Sequence, residues 1–235
     1  MEYDFRVLIS GIVPFISVKD VLLPIERWSF GQENHPDGSR RDPPVDNLSP
    51  MRNSFLHARA ALDAFLADEA NSARVVQVAA MMAQRLTAGS KILACGNGGS
   101  ACDAMHFCEE LTGRFRADRP ALAAIACVDP GHITCTANDF GFEHVFSRWV
   151  EALGQKGDVL VVLSTSGNSA NVVKAVEAGR DRGLVTVGLL GRDGGELAGK
   201  CEYEWVIPGE TADRIQEVHM LILHVLIERI ESEMF

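Results

Sequence analysis

The chain has 235 residues, 47% of them hydrophobic and 23% charged, which suits one globular domain with a sizeable core. Against 22 basic residues stand 32 acidic ones, and the net charge of −10 argues against a general nucleic-acid or anionic-membrane binder. No stretch reaches the roughly 20 apolar residues of a bilayer-spanning helix, and MEYDFR is a poor signal-peptide start ahead of apolar Val7–Val18, so a cytoplasmic protein is expected.

Residues 1–47 read as an irregular N-terminal extension, because Arg27–Pro50 is rich in Pro, Gly, Asp, Asn and Arg. The helical pattern starts at Met51. Either translation begins there, or the extension is an added regulatory or oligomer-binding arm. A single domain is expected over 48–235. It opens with a helical hairpin over 51–88: Phe55, Ala58, Leu62 and Phe65 share one helix face, and Val75, Val78, Met81, Met82 and Leu86 share another. Strands and helices then alternate. Strands are predicted at Lys91–Cys95, Ala121–Val128, Asp158–Leu163, Val185–Leu190 and Tyr203–Ile207. Helices are predicted at Ser100–Thr112, Phe142–Ala152, Ala170–Arg182 and Asp213–Met234, with Pro130–Asn138 helical or irregular. This alternation implies an α/β fold of three layers, a parallel sheet covered by helices on both sides. DVLVVL (158–163) has the continuous apolar run of a strand buried on both faces. Six cysteines, at 95, 102, 108, 127, 135 and 201, form no C-x-x-C pair; they read as buried structural thiols of a reducing compartment.

Two turns carry ligand-binding signals. STSGNS (164–169) directly follows the buried strand and precedes a helix, which places it at the carboxyl edge of a doubly wound sheet. Four hydroxyls, on Ser164, Thr165, Ser166 and Ser169, join the free N–H groups of a helix start to make an anion site; helix capping accounts for one of them only. GNGGS (96–100) is neither a dinucleotide fingerprint nor a Walker loop. Its Gly98 and Gly99 allow positive φ and close backbone approach to a substrate, and Asn97 can bond a sugar hydroxyl; a plain tight turn is the alternative.

His106 and Glu110 are four apart on one helix, hence on one face, as suits two ligands of a metal or a base and its partner. The last helix is apolar almost all round, so it should be buried, and its Gln216, His219 and His224 then need partners. Gln216 and His224 are eight residues apart, about 12 Å along a straight axis. One ion takes both only if the helix bends, the side chains stretch, or two subunits contribute; His219 is the geometric rival of His224.

CGNGGSACDAMHFCEELTGR, ANDFGF, FSRWVEALGQKGDVLVVLSTSGNSANVVKA and ADRIQEVHMLILHVLIE closely resemble the phosphoheptose isomerases of the sugar isomerase (SIS) domain family, in register from about Pro50 to Met234. The resemblance implies a flavodoxin-like SIS domain that assembles as a homotetramer with active sites at subunit interfaces and one zinc ion per site. It implies metal ligands His106, Glu110, Gln216 and His224. It also implies substrate contacts from Asn97, Gly98, Gly99, Glu110, Asn138, Asp139, Ser164, Thr165, Ser166, Ser169 and Gln216. Glu110 would be the base and His224 the opposing acid or base. The implied reaction turns sedoheptulose 7-phosphate into D-glycero-D-manno-heptose 7-phosphate for lipopolysaccharide and related surface glycans. Ala101 and the N-terminal extension depart from the family pattern. The competing reading is a non-catalytic SIS protein that binds sugar phosphates or associates with the replication initiator. Such a protein needs the phosphate loop but not the base. A third reading, an isomerase of another phosphosugar, fits the matches outside the loop less well.

Overall fold

The computed structural model describes residues 48–235; the extension expected over residues 1–47 lies outside the described residues. Two helices open the domain, α1 (Leu48–Ala67) and α2 (Glu69–Thr87). Asp68 separates them, its carboxylate accepting from the Ala70 N–H as the N-cap of α2. There follow β1 (Ile92–Gly96), α3 (Gly99–Thr112), β2 (Ala124–Ala126), α4 (Pro130–Phe140) and, after a 3₁₀ turn at Phe142–His144, α5 (Val145–Leu153). The second half holds β3 (Val159–Ser164), α6 (Ala170–Asp181), β4 (Val185–Gly191), β5 (Tyr203–Ile207) and α7 (Ala212–Met234).

The five strands form one parallel sheet in the order β2-β1-β3-β4-β5. β1, β3 and β4 are buried at every residue, because helices cover both faces. Alternate side chains feed two cores. Ile92, Ala94, Val159, Val161, Leu163 and Trp205 meet α1, α2, α3 and α7. Leu93, Leu160 and Val162 meet α5 and α6 through Val145, Trp149, Val172 and Val176. At the amino ends, buried Asp158 fastens β1 to β3 by accepting from the Lys91 N–H (3.0 Å), the Gln155 N–H (2.9 Å) and the Lys91 ammonium (2.5 Å).

Three expectations change. The strand expected over Ala121–Val128 is three residues long, since this edge strand pairs only with Ile92–Ala94 of β1. The last helix is not buried all round: Leu221 and Val225 are exposed and line, with Leu66 and Val76, an apolar groove of about 390 Å³ between α1, α2 and α7. Cys102 and Cys135 are exposed, while Cys95, Cys108 and Cys127 are buried. Cys102 lies on the outer face of α3, whose inner face is Ala104, Phe107, Cys108 and Leu111. No helix among the described residues is long and apolar enough to cross a membrane.

Candidate active site

In this strand order the chain leaves β1 toward one side of the sheet and β3 toward the other, which opens a crevice beyond their carboxyl ends. Both Gly- and Ser-rich turns lie there. Gly96 ends β1 where a Cβ would stand 2.8 Å from Ser100 Cβ and 3.0 Å from the Leu163 carbonyl, so the two strand ends approach too closely for a side chain. Gly98 (φ +56) is the N-cap of α3 and has open space around it. Gly99 differs from expectation. It is the first residue of α3 and needs no positive φ; its missing Cβ makes room for the Gln216 amide, which would lie 2.7 Å from such an atom.

The hydroxyl loop is braced from behind. Ser164 is buried and its Oγ accepts from the Gly167 N–H (3.1 Å), and Ser166 Oγ accepts from the Asn168 N–H (3.2 Å). Gly167 (φ +66) sits so close to the Gly194 carbonyl that a Cβ would overlap it at 1.8 Å. The Gly167 carbonyl accepts from the Leu197 N–H (3.1 Å). Ser169 is the N-cap of α6, yet its hydroxyl makes no cap bond. That hydroxyl and the first N–H groups of α6 are free for an anion.

The second cluster sits where α3 passes α7. His106 Nε2 is 3.2 Å from Glu110 Oε1, and His224 Nε2 is 3.6 Å from Glu110 Oε2. The two imidazoles meet edge to face with centroids 5.2 Å apart. Glu110 Oε2 is buried without a hydrogen-bond partner. One donor atom from each of His106, Glu110 and His224 lies within 4.8 Å of the other two. Two imidazoles and one carboxylate make three donors of a set that fits zinc, whose tetrahedral ligands stand ~3.4 Å apart. Arg119 fixes the geometry. Its buried guanidinium bonds the Glu110 and Leu111 carbonyls at the end of α3 (2.6 and 2.7 Å) and Glu231 of α7 (2.8 Å).

Within the chain Gln216 and His219 stand apart from this trio. Gln216 lies against Gly99 and donates to Ser100 Oγ (3.3 Å), at the opposite end of the α3–α7 contact. His219 belongs to the core: it is fully buried, with Nε2 3.0 Å from the Leu190 carbonyl. Burial pushes its pKa down to about 4, against the pull of that bond. Asn138 and Asp139 are exposed near the end of α4, bonded to each other (2.7 Å), with the Cys135 thiol 3.6 Å from Asp139.

The SIS domain family model matches residues 55–191. A phosphoheptose isomerase of Fusobacterium nucleatum is 59% identical over 171 residues, 73% of this chain and 88% of that protein. Among solved structures, the phosphoheptose isomerase GmhA from Neisseria gonorrhoeae superposes with a TM-score of 0.73 at 42% identity, over 79% of this chain and 99% of the other. A phosphoheptose isomerase from Francisella tularensis gives 0.74 at 35% identity, over 79% and 98%. The chain belongs to the phosphoheptose isomerases of the SIS domain family.

Three side chains at this phosphoheptose isomerase site escaped the sequence reading. Phe115 stacks on the His224 ring (centroids 5.9 Å, 22° between planes). Asp103, one turn before His106, has a buried, unpartnered Oδ2, and burial raises its carboxyl to about 6 while His106 pulls the other way. Asn171, buried at the start of α6, exchanges two hydrogen bonds with Asn97. Only Asn171 had a signal, a polar residue two places after the hydroxyl loop and next to an apolar pair.

Proposed function

We propose that the protein is an aldose–ketose isomerase converting sedoheptulose 7-phosphate to D-glycero-D-manno-heptose 7-phosphate, a cytoplasmic homotetramer with one zinc ion per site that supplies heptose for lipopolysaccharide and other surface glycans. The observation that carries the reading is the Glu110 carboxylate, flanked by two imidazoles and left with a buried, unbonded oxygen. A sugar-phosphate sensor needs the hydroxyl loop but has no use for such a group, so this trio favours catalysis over the non-catalytic SIS reading.

Isomerisation moves a proton between C1 and C2 of the sugar through an enediol. Glu110 Oε2 takes the proton from one carbon and returns it to the other. His224, 3.6 Å away, exchanges a proton with the carbonyl or ring oxygen. Ser164, Thr165, Ser166 and Ser169, with the free N–H groups of α6, hold the 7-phosphate; Asn97 and the Gly98–Gly99 backbone orient the chain of hydroxyls between. Zinc held by His106, Glu110 and His224 would polarise the carbonyl and hydroxyl oxygens.

The helix lengths favour shared sites. Glu110 is eleven residues beyond Gly99, about 16 Å down α3, whereas an extended seven-carbon phosphate spans roughly 10 Å from the C–C bond length. The loop of one subunit and the Glu110 trio of another can close on one substrate, with Gln216, Asn138 and Asp139 brought in at the same interface. Exposed Leu66, Val76, Leu221 and Val225 offer apolar surface for such assembly.

The test follows heptose formation from sedoheptulose 7-phosphate. Glu110→Gln is expected to fold, to keep inhibition by inorganic phosphate, and to lose turnover by about 10²-fold or more. Chelation should abolish wild-type activity and zinc should restore it. Near-normal turnover by Glu110→Gln rejects the base, and a rate indifferent to chelation rejects the metal.

A further inference from the structure

The two turns of the crevice come from distant parts of the chain, and one pair of side chains joins them. Asn97 Nδ2 donates to Asn171 Oδ1 at 2.9 Å, and Asn171 Nδ2 donates to Asn97 Oδ1 at 2.8 Å, a reciprocal amide pair 74 residues apart in sequence. Among the described residues these are the only hydrogen bonds between the 96–100 turn and the 164–171 segment. Gly96 leaves no side chain to pack there; its end of the turn is held by the pairing of β1 with Leu163, and the Gly98 carbonyl accepts from the Ala101 and Cys102 N–H groups (3.0 and 3.3 Å) at the start of α3. β1 and α3 thus fix the two ends of the turn, and the Asn97 side chain is what ties it to α6.

We propose that Asn171 is a positioning residue for the isomerase: through the double amide bond it fixes the Asn97 amide relative to the phosphate cradle at the start of α6. The inference rests on the isomerase reading of the site. Asn171 is 3% exposed and one residue inside α6, so it moves with the helix whose N–H groups and Ser169 form the cradle. Asn97 is half-buried and stands at the mouth of the crevice. Each amide uses one N–H and one carbonyl lone pair in the clasp. Asn97 thus keeps a second N–H and a second lone pair, held in a fixed plane, for a sugar hydroxyl. An Asn free to rotate would offer the same groups in many directions. The clasp converts phosphate binding at one turn into orientation at the other, the kind of contribution that raises turnover rather than affinity for the phosphate.

The clasp also dictates what substitution does. Asn171→Ala frees Asn97. Asn171→Asp keeps the volume but sets a carboxylate oxygen against Asn97 Oδ1, so only one of the two bonds survives. Steady-state kinetics on the purified full-length enzyme should show kcat down about 10- to 100-fold for both variants. Inhibition by inorganic phosphate, which probes the cradle alone, should stay within about two-fold. In an Asn97→Ala background the further change Asn171→Ala should leave kcat unchanged, because the residue through which it acts is gone. The proposal is overturned if either Asn171 variant turns over like the wild type, or if its loss multiplies in full with that of Asn97→Ala, which marks a separate structural role. Should Asn171→Ala fail to fold, near-isosteric Asn171→Asp carries the same comparisons. Wild-type enzyme inert toward sedoheptulose 7-phosphate overturns the isomerase reading itself; active wild type with equally active Asn171 variants overturns the clasp alone.

Discussion

Gly99→Ala separates the stability of this domain from its chemistry. The added methyl meets the Gln216 amide, 2.7 Å from both Nε2 and Oε1 and 2.9 Å from Cδ. Ordinary contact requires the amide to retreat by roughly 1 Å. The backbone of Gly99 is already helical, so alanine brings no strain there and gains up to ~1 kcal/mol of helix propensity. Against this stands the long Gln216–Ser100 hydrogen bond (3.3 Å), whose loss costs about 0.5–1.5 kcal/mol. The two nearly cancel, and Tm should move by no more than about 4 °C. A polar group displaced by ~1 Å in an orienting site can cost up to 10²-fold in rate. Thermal unfolding beside the heptose-formation assay should therefore give a near-native Tm and kcat/KM down by one to two decades, about the loss of Gln216→Ala. A fully active Gly99→Ala refutes the view that Gln216 works from beside this glycine. A collapse in Tm refutes the ledger.

The proposed shared site predicts intersubunit complementation. Ser169→Asp puts a charge in the anion cradle, Glu110→Gln removes the base, and each variant alone should be inactive. Co-refolded mixtures should recover up to about a quarter of wild-type activity if loop and base come from different subunits; no recovery assigns them to one subunit. Buried His219, held neutral with its pKa at about 4 against 6.5 unfolded, makes stability complete above pH 6.5 and progressively lost as pH falls toward 4. Asp103, raised to about 6 by burial, acts in the opposite sense over pH 6 to 4, so the effect is cleanest in Asp103→Asn. Denaturant unfolding of that variant should show about 2 kcal/mol lost between pH 6.5 and 5, a slope absent from Asp103→Asn/His219→Gln; equal slopes would refute it.

Much of the architecture was legible because it is local. The apolar run of β3 declares a strand buried on both faces, and the two separate apolar faces, Phe55–Phe65 and Val75–Leu86, declare the helical pair. The i,i+4 spacing of His106 and Glu110 already put them on one face. The polar contacts that complete the crevice are not local. Asn171 finds Asn97 across 74 residues, and nothing in either neighbourhood names the partner. Gly99 looked like a turn glycine and is instead a clearance for a side chain 117 positions later.

The same contrast bears on the proposed metal ligands, because Gln216 and the Glu110 trio lie at opposite ends of the α3–α7 contact. Helix geometry gave about 12 Å between Gln216 and His224 from spacing alone. The structure realises that separation: α7 runs beside α3, Gln216 meeting Ser100 at one end and His224 meeting Glu110 at the other. A bend that united the two on one ion would have to break the packing of Ile215, Ile222 and Leu226, all fully or almost fully buried on that helix, and strip the Arg119 clamp from Glu231. Each such aliphatic side chain contributes about 1.5–3 kcal/mol, far more than rearranging exposed surface costs. In the proposed assembly a second subunit would bring a distant ligand and the phosphate loop to the Glu110 trio at lower cost, and it would also cover Leu221 and Val225, which α7 leaves exposed.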